Sequence, residues 1–210
     1  MNRLTDIQGI IFDYGGTIDT NSRHWAEVLW SKYVAHQVPV TKEAFREAYV
    51  FGERSLAKFP FVRPDHDFHD VLRIKCKLQM EYLAEKRHLP MDEKLLRNYA
   101  QLVADGCYDY VLDVLKVTRP VVDQLAKHYK LVLVSNFYGN IQTILKDFGL
   151  MDYLPTSWNH PWWAYASPIL PFISWAWMPW VIWPTKCWWW AIRSRKTWFP
   201  PRKWDARRLG

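Results

Sequence analysis

The sequence predicts an α/β fold: a Rossmann-like parallel sheet, incomplete, with a helical cap inserted after its first strand and an irregular Trp/Pro-rich C-terminal tail. Three observations predict it. Two short apolar runs each end in a polar residue, the long stretch between them carries helical spacing with little strand signal, and the composition changes abruptly near residue 154. At 210 residues the chain is long enough for one domain with a full core, or for a compact domain carrying an inserted subdomain.

The first strand is IQGIIF, residues 7–12, closed by Asp13 and a Gly-Gly turn; it reads as a buried strand that delivers an acid to its C-terminal end. From about Ser22 to Val117 the pattern is helical. Trp25, Val28, Leu29 and Tyr33 fall at helix spacing, as do Phe45, Ala48 and Tyr49; Thr41 followed by Glu43 starts one helix, and VLRIKCKLQMEYLAEK is another. The helix PVVDQLAKHY then precedes a second strand, KLVLVSN, from Lys130 to Asn136, and a further helix begins near Gly139. Strand, helical insert, helix, strand, helix divides the chain into a partial core of residues 1–20 and 118–154, a cap of residues 21–117, and a tail of residues 155–210.

Charge follows the same division. Residues 1–154 carry 20 basic and 20 acidic side chains, whereas residues 155–210 carry eight basic residues against the single acid Asp205. The whole net charge of +7 therefore sits in the tail, together with 12 of the 14 tryptophans and eight of the 13 prolines. Such a tail invites two readings, a membrane surface or a single-stranded nucleic acid, but the balanced residues 1–154 favour neither partner. Cys76, Cys107 and Cys187 imply no disulfide framework, and with no charged-then-apolar leader after Met1 a reduced, cytoplasmic setting is expected.

In open parallel α/β sheets ligands sit outside the carboxyl ends of the strands. The first strand delivers Asp13-Tyr14-Gly15-Gly16-Thr17 there, and the second delivers Ser135-Asn136. A carboxylate just past a buried strand can serve as a nucleophile or as a ligand for a divalent metal. The glycine turn lets backbone amides approach an anion, and a hydroxyl on the neighbouring strand end can donate to a phosphoryl oxygen. Taken alone, an Asp-Gly-Gly turn is more often simply a turn, and Ser-Asn after a strand is usually a helix N-cap. The cluster RPDHDFHD, with His66 and His69 among Asp65, Asp67 and Asp70, reads as a solvated, acid-rich helix start rather than a metal site, and the Leu and Tyr stripe of the cap as packing.

Together, IIFDYGGTIDT and LVLVSN at this separation resemble motifs I and II of the haloacid dehalogenase superfamily, over residues 7–154. The resemblance implies a hydrolase of the phosphatase class acting on a small phosphorylated or related anionic substrate, with Mg²⁺ as cofactor. By position, Asp13 would be the nucleophile and a metal ligand, the Gly15 carbonyl a second metal ligand, and Thr17 the support of the turn. Ser135 would hold the transferring phosphoryl group, with Gly16 and Asn136 beside it. One departure matters: the family's phosphatases carry a second aspartate two positions after the first, as general acid and base, and here that position is Gly15. General acid–base catalysis is worth about 100-fold to 10,000-fold.

The resemblance also implies two later motifs, a lysine and a Gly-Asp strand end, and neither is present in frame. From Pro155 onward there is no glycine before Gly210, and prolines recur too often for a parallel sheet. Residues 161–185 lack charge, but Pro161, Pro168, Pro171, Pro179 and Pro184 interrupt them, against a membrane span. Tryptophan has one codon, so its runs fix the neighbouring reading frame. Cys187 through Ala191 become YTG GTG GTG GGC, which encodes only Leu-Val-Val-Gly, and the next codon, across Ala191 and Ile192, permits Asp. Likewise Trp158-Asn159 force Glu, Trp162-Trp163-Ala164 force Val-Gly, and Tyr165 to Pro168 permit Arg-Lys-Pro. Both missing motifs reappear in order, so a single-base frameshift between about Leu154 and Trp158 is expected, leaving a chain that is inactive or weakly active and a first strand unpaired along one side.

Overall fold

A computed structural model of the chain describes residues 9–135 and 137–154, and the backbone of residues 157–159 and 188–189. The elements in chain order are β1 (Gly9–Phe12), α1 (Trp25–Ala35), α2 (Lys42–Lys58), α3 (Phe68–Glu85), α4 (Glu93–Ala126), β2 (Lys130–Ser135), α5 (Ile141–Asp147), β3 (Ser157–Asn159) and β4 (Trp188–Trp189). The fold is mostly helical with a small parallel sheet, α/β in that coarse sense.

Helices α1 to α4 each begin where the sequence supplies a side-chain acceptor for the first amides, whereas α5 has none. Thr41 accepts from the Ala44 amide at 3.2 Å, and Asp92 from the Leu95 amide at 3.1 Å. Asp67 and Asp70 form a reciprocal capping box at the start of α3, so RPDHDFHD does open a helix. The apolar faces of α1 to α4 then meet in one core. Tyr33 and Phe45 lie edge to face at 4.8 Å, and the Tyr33 hydroxyl donates to Gln79 Oε1 at 2.9 Å, tying α1 to α3. Cys76 and Cys107 are buried free thiols in the same core.

Phe68, 2 % exposed, joins this helical block to the sheet. Its ring packs against Trp25 at 5.6 Å, Tyr14 at 6.1 Å, Phe137 at 6.1 Å and Phe148 at 5.7 Å, so one side chain touches the turn after β1, the segment after β2 and the end of α5. Polar contacts reinforce it: Asn140 donates to the His66 carbonyl at 2.8 Å and Thr143 to the Pro64 carbonyl at 2.6 Å.

The sheet has the order β3-β2-β1-β4, parallel throughout. β1 and β2 pair from Gly9↔Lys130 to Phe12↔Leu133. Two expectations need correction. β1 is not unpaired along its far side, because Ile10 and Ile11 pair with Trp188 and Trp189; ladder bonds use only backbone groups, so a two-residue bridge forms whatever the side chains. The rest of the tail's expected irregularity lies outside the described residues. The second correction concerns Pro120, read as the start of a new helix. α4 instead runs unbroken for 34 residues through it. Pro120 is exposed, so the Lys116 carbonyl it leaves without a helix donor can face water.

That accommodation still has a cost. An interior proline is less favourable than alanine by about 3 kcal/mol, offset in part by its smaller unfolded-state entropy. Pro120→Ala is therefore expected to stabilise the protein by about 1 to 2 kcal/mol in urea denaturation. An unchanged or lower urea midpoint would mean that α4 does not run through this position.

Candidate functional site

Register brings the two strand ends together. Phe12 lies opposite Leu133, so Asp13 follows one residue later and Ser135 two residues later at the same end of the β1–β2 pair. Asp13 is exposed and Ser135 is 5 % exposed. Thr17 and Gly16 are partly buried in the turn after β1. Asn136, also expected here, lies outside the described residues, as does Cys187 with the Trp-rich patch beyond the bridge of β4.

The turn is an irregular coil of the chain over Tyr14–Ile18. Gly16 sits at φ 84°, in the left-handed region that favours glycine. Gly15 differs: at φ −69° and ψ 119° any residue is accommodated, and a Cβ built there meets nothing within 4 Å. Its missing side chain is thus not demanded by sterics. Beyond the turn, Asn21 and Ser22 both adopt positive φ, 50° and 67°, a strained pair where the chain leaves for α1.

Asp19, fully buried, holds this arrangement. Its Oδ1 accepts from the Gly16 amide at 2.7 Å, and its Oδ2 from Trp25 Nε1 at 2.8 Å, so one carboxyl fixes both the turn and the first residue of α1. Burial raises its pKa to about 7, against the opposing pull of those two donors. Tyr14, packed beside it, is fully buried as well, and burial drives its phenol pKa well up.

A cavity of about 190 Å³ lies between the strand ends and the helices. From the helical side Trp25, Tyr49, Glu53, Phe68 and Lys75 line it. Gly15, Phe137 and Tyr138 line it from the side of the strand ends. Lys75, 7 % exposed, pairs with Glu53 at 2.8 Å, and the Tyr138 hydroxyl donates to Glu53 Oε2 at 3.0 Å. Burial works against both charges, but the pair outweighs it: the Lys75 ammonium lowers the Glu53 pKa, and Glu53 holds that of Lys75 well above the usual lysine range. Both groups are therefore charged at neutral pH, and Glu53 has no proton to give.

Sequence reasoning missed Asp19, Lys75 and Glu53. Asp19 stands within the quoted IIFDYGGTIDT, and a carboxylate three residues after a glycine turn is a legible signal for an amide clamp. Lys75 and Glu53 lie on different helices, and nothing in their local spacing announces the pair. Among the described residues no group of three His, Cys, Asp or Glu stands close enough to hold a metal, and no helix is long and apolar enough to cross a membrane.

The Asp19 shift has a pH consequence. Its folded pKa, about 7, lies above the unfolded value near 3.8, so its contribution to stability is fully present below about pH 4 and is lost as pH rises through about 7. Asp19→Asn removes this dependence and leaves one of the two donors without its acceptor. Between pH 5 and pH 8 the stability of the wild type is expected to fall by about 2 kcal/mol relative to the variant. Urea midpoints at the two pH values check it, and a difference that does not change with pH contradicts it.

A scan against protein-family models and a search of curated proteins each found no match for this chain.

Proposed function

We propose that the chain is an aspartate-nucleophile hydrolase of the phosphatase class, similar to the haloacid dehalogenase superfamily, with a Rossmann-like core and a helical cap over the strand ends, and that its turnover is slow. The observation that carries this reading is the common end of the parallel β1–β2 pair, where Asp13 follows Phe12 opposite Leu133 and Ser135 ends the neighbouring strand. In this reading the Asp13 carboxylate attacks the phosphoryl group of a small ester, the Ser135 hydroxyl donates to a phosphoryl oxygen, and Thr17 and Gly16 shape the turn. Asn136 would sit next to Ser135 along the chain.

The Asp13 carboxylate and the Gly15 carbonyl are hard oxygen donors of the kind Mg²⁺ takes while retaining waters and substrate phosphate, so these two residues would hold it. When bound, the ion would neutralise phosphoryl charge. Two features make the chain slow. Gly15 supplies neither a proton for the leaving group nor a base for water, and the third and fourth motifs are absent in frame and permitted only in the neighbouring one. The described pairings of Ser157–Asn159 with β2 and of Trp188–Trp189 with β1 fall within the two stretches where that frame permits them.

The free space at Gly15 allows a direct test. Gly15→Asp puts a carboxyl where nothing obstructs it and should raise Mg²⁺-dependent phosphate release from a small phosphate monoester on the order of 100-fold, the low end for an added acid–base group. Asp13→Asn in the same background should abolish the gain. Robust phosphate release by the unaltered chain, or release that survives loss of Asp13, would contradict the reading.

A further inference from the structure

The cavity behind Gly15 has a composition of its own. Its wall is aromatic, from Trp25, Tyr49, Phe68, Phe137 and Tyr138, and its polar content is concentrated in the Lys75–Glu53 pair. At about 190 Å³ it exceeds the roughly 150 Å³ of an engineered apolar cavity that holds benzene in another protein, so one ring with a small substituent fits. Rings favour such a wall because edge-to-face and stacked contacts add to the gain from burying apolar area. A polyhydroxylated body would instead lose water from hydroxyls for which the wall offers few partners.

The pair determines the polar end of the occupant. Glu53 accepts from Tyr138 and faces the Lys75 ammonium, and Lys75 lies over the Tyr138 ring at 5.7 Å. An ammonium has three donors, and Lys75 meets two oxygen partners, the Glu53 carboxylate at 2.8 Å and the Tyr138 hydroxyl. Donor capacity therefore remains, directed at a hydrogen-bond acceptor. The pair is already neutral, so an added carboxylate would be a third buried charge without a counter-ion, which is costly, whereas a hydroxyl or ester oxygen brings no charge.

We propose that this cavity binds the leaving-group half of the substrate, a ring-sized aromatic alcohol or phenol whose neutral oxygen faces Lys75, making the substrate class aromatic phosphate monoesters. The assignment rests on the phosphatase reading for its link to Asp13, because Gly15, next but one to that residue, lines the cavity. The binding itself does not require turnover.

Saturation-transfer NMR on the full chain with phenol and benzyl alcohol tests it, with glycerol and benzoate as the polar and anionic comparisons. Gly15→Leu is the blocking variant, since Gly15 lines the cavity and a Cβ there meets nothing within 4 Å, and circular dichroism reports whether it folds. Phenol and benzyl alcohol are expected to bind with a Kd on the order of 1 mM, suiting ligands of seven or eight heavy atoms, and glycerol and benzoate at least tenfold more weakly. Gly15→Leu should weaken the rings at least tenfold with its helical signal retained; if it does not fold, Val71→Phe, which narrows the same wall, replaces it. Ring binding that the folded blocking variant leaves unchanged, equal binding of benzoate, or no ring binding at all would overturn the proposal. The probes carry no phosphoryl group, so ring binding without any hydrolysis by Gly15→Asp would fault the phosphatase reading and leave the pocket standing.

Discussion

Everything at the strand ends depends on the Asp19 carboxyl. It has no exposure, and it spends both oxygens on groups that belong to different parts of the molecule, the Gly16 amide of the turn and the indole of Trp25 at the head of α1. Burial of Tyr14 and Ile18 and the bond from the Ser22 amide to the Gly16 carbonyl at 3.1 Å also hold the turn, but neither ties it to the head of α1. With the clamp, Asp13 and Gly15 emerge at one orientation from β1, and the helical block begins at a fixed point relative to them. The carboxyl is buried at the cost of a pKa near 7, which is the kind of electrostatic expense that folded proteins concentrate where geometry matters.

Phe68 extends that constraint outward. Tyr14, next to the expected nucleophile, and Phe137, just past β2, both pack on its ring, and so does Trp25, the second partner of Asp19. The helices are thus joined to the strand ends by a continuous aromatic contact. The unbroken α4, running from the helical block to the threshold of β2, adds a second rigid connection. A cavity lined in part by the buried Lys–Glu pair lies between these attachments.

Much of this was legible in the sequence, and the reasons differ by element. β1 and β2 are legible because an apolar run followed by a polar strand end is a local pattern, as are the helix start at Thr41 and the acid-rich start in RPDHDFHD. α4 was misread at Pro120 because local propensity penalises proline wherever it occurs, whereas its actual cost depends on whether the orphaned carbonyl faces solvent. Lys75 and Glu53 were invisible for a deeper reason: a buried ion pair between two helices is fixed by packing angle and depth, neither of which is encoded in any short window. The pairing of Trp188 and Trp189 with β1 was likewise unforeseeable from proline and tryptophan content, since ladder bonds are indifferent to side chains.

In the proposed function Asp13 is a nucleophile on a site short of its acid and base. A missing base retards the second, hydrolytic half of such a reaction more than the first, so a covalent acyl phosphate should persist on the enzyme. Incubating the full chain with acetyl phosphate and Mg²⁺, followed by mass spectrometry of its peptides, measures this directly. One phosphoryl group is expected on the peptide containing Asp13, labile to hydroxylamine and absent from Asp13→Asn. No modification, or modification that persists in Asp13→Asn, would contradict it.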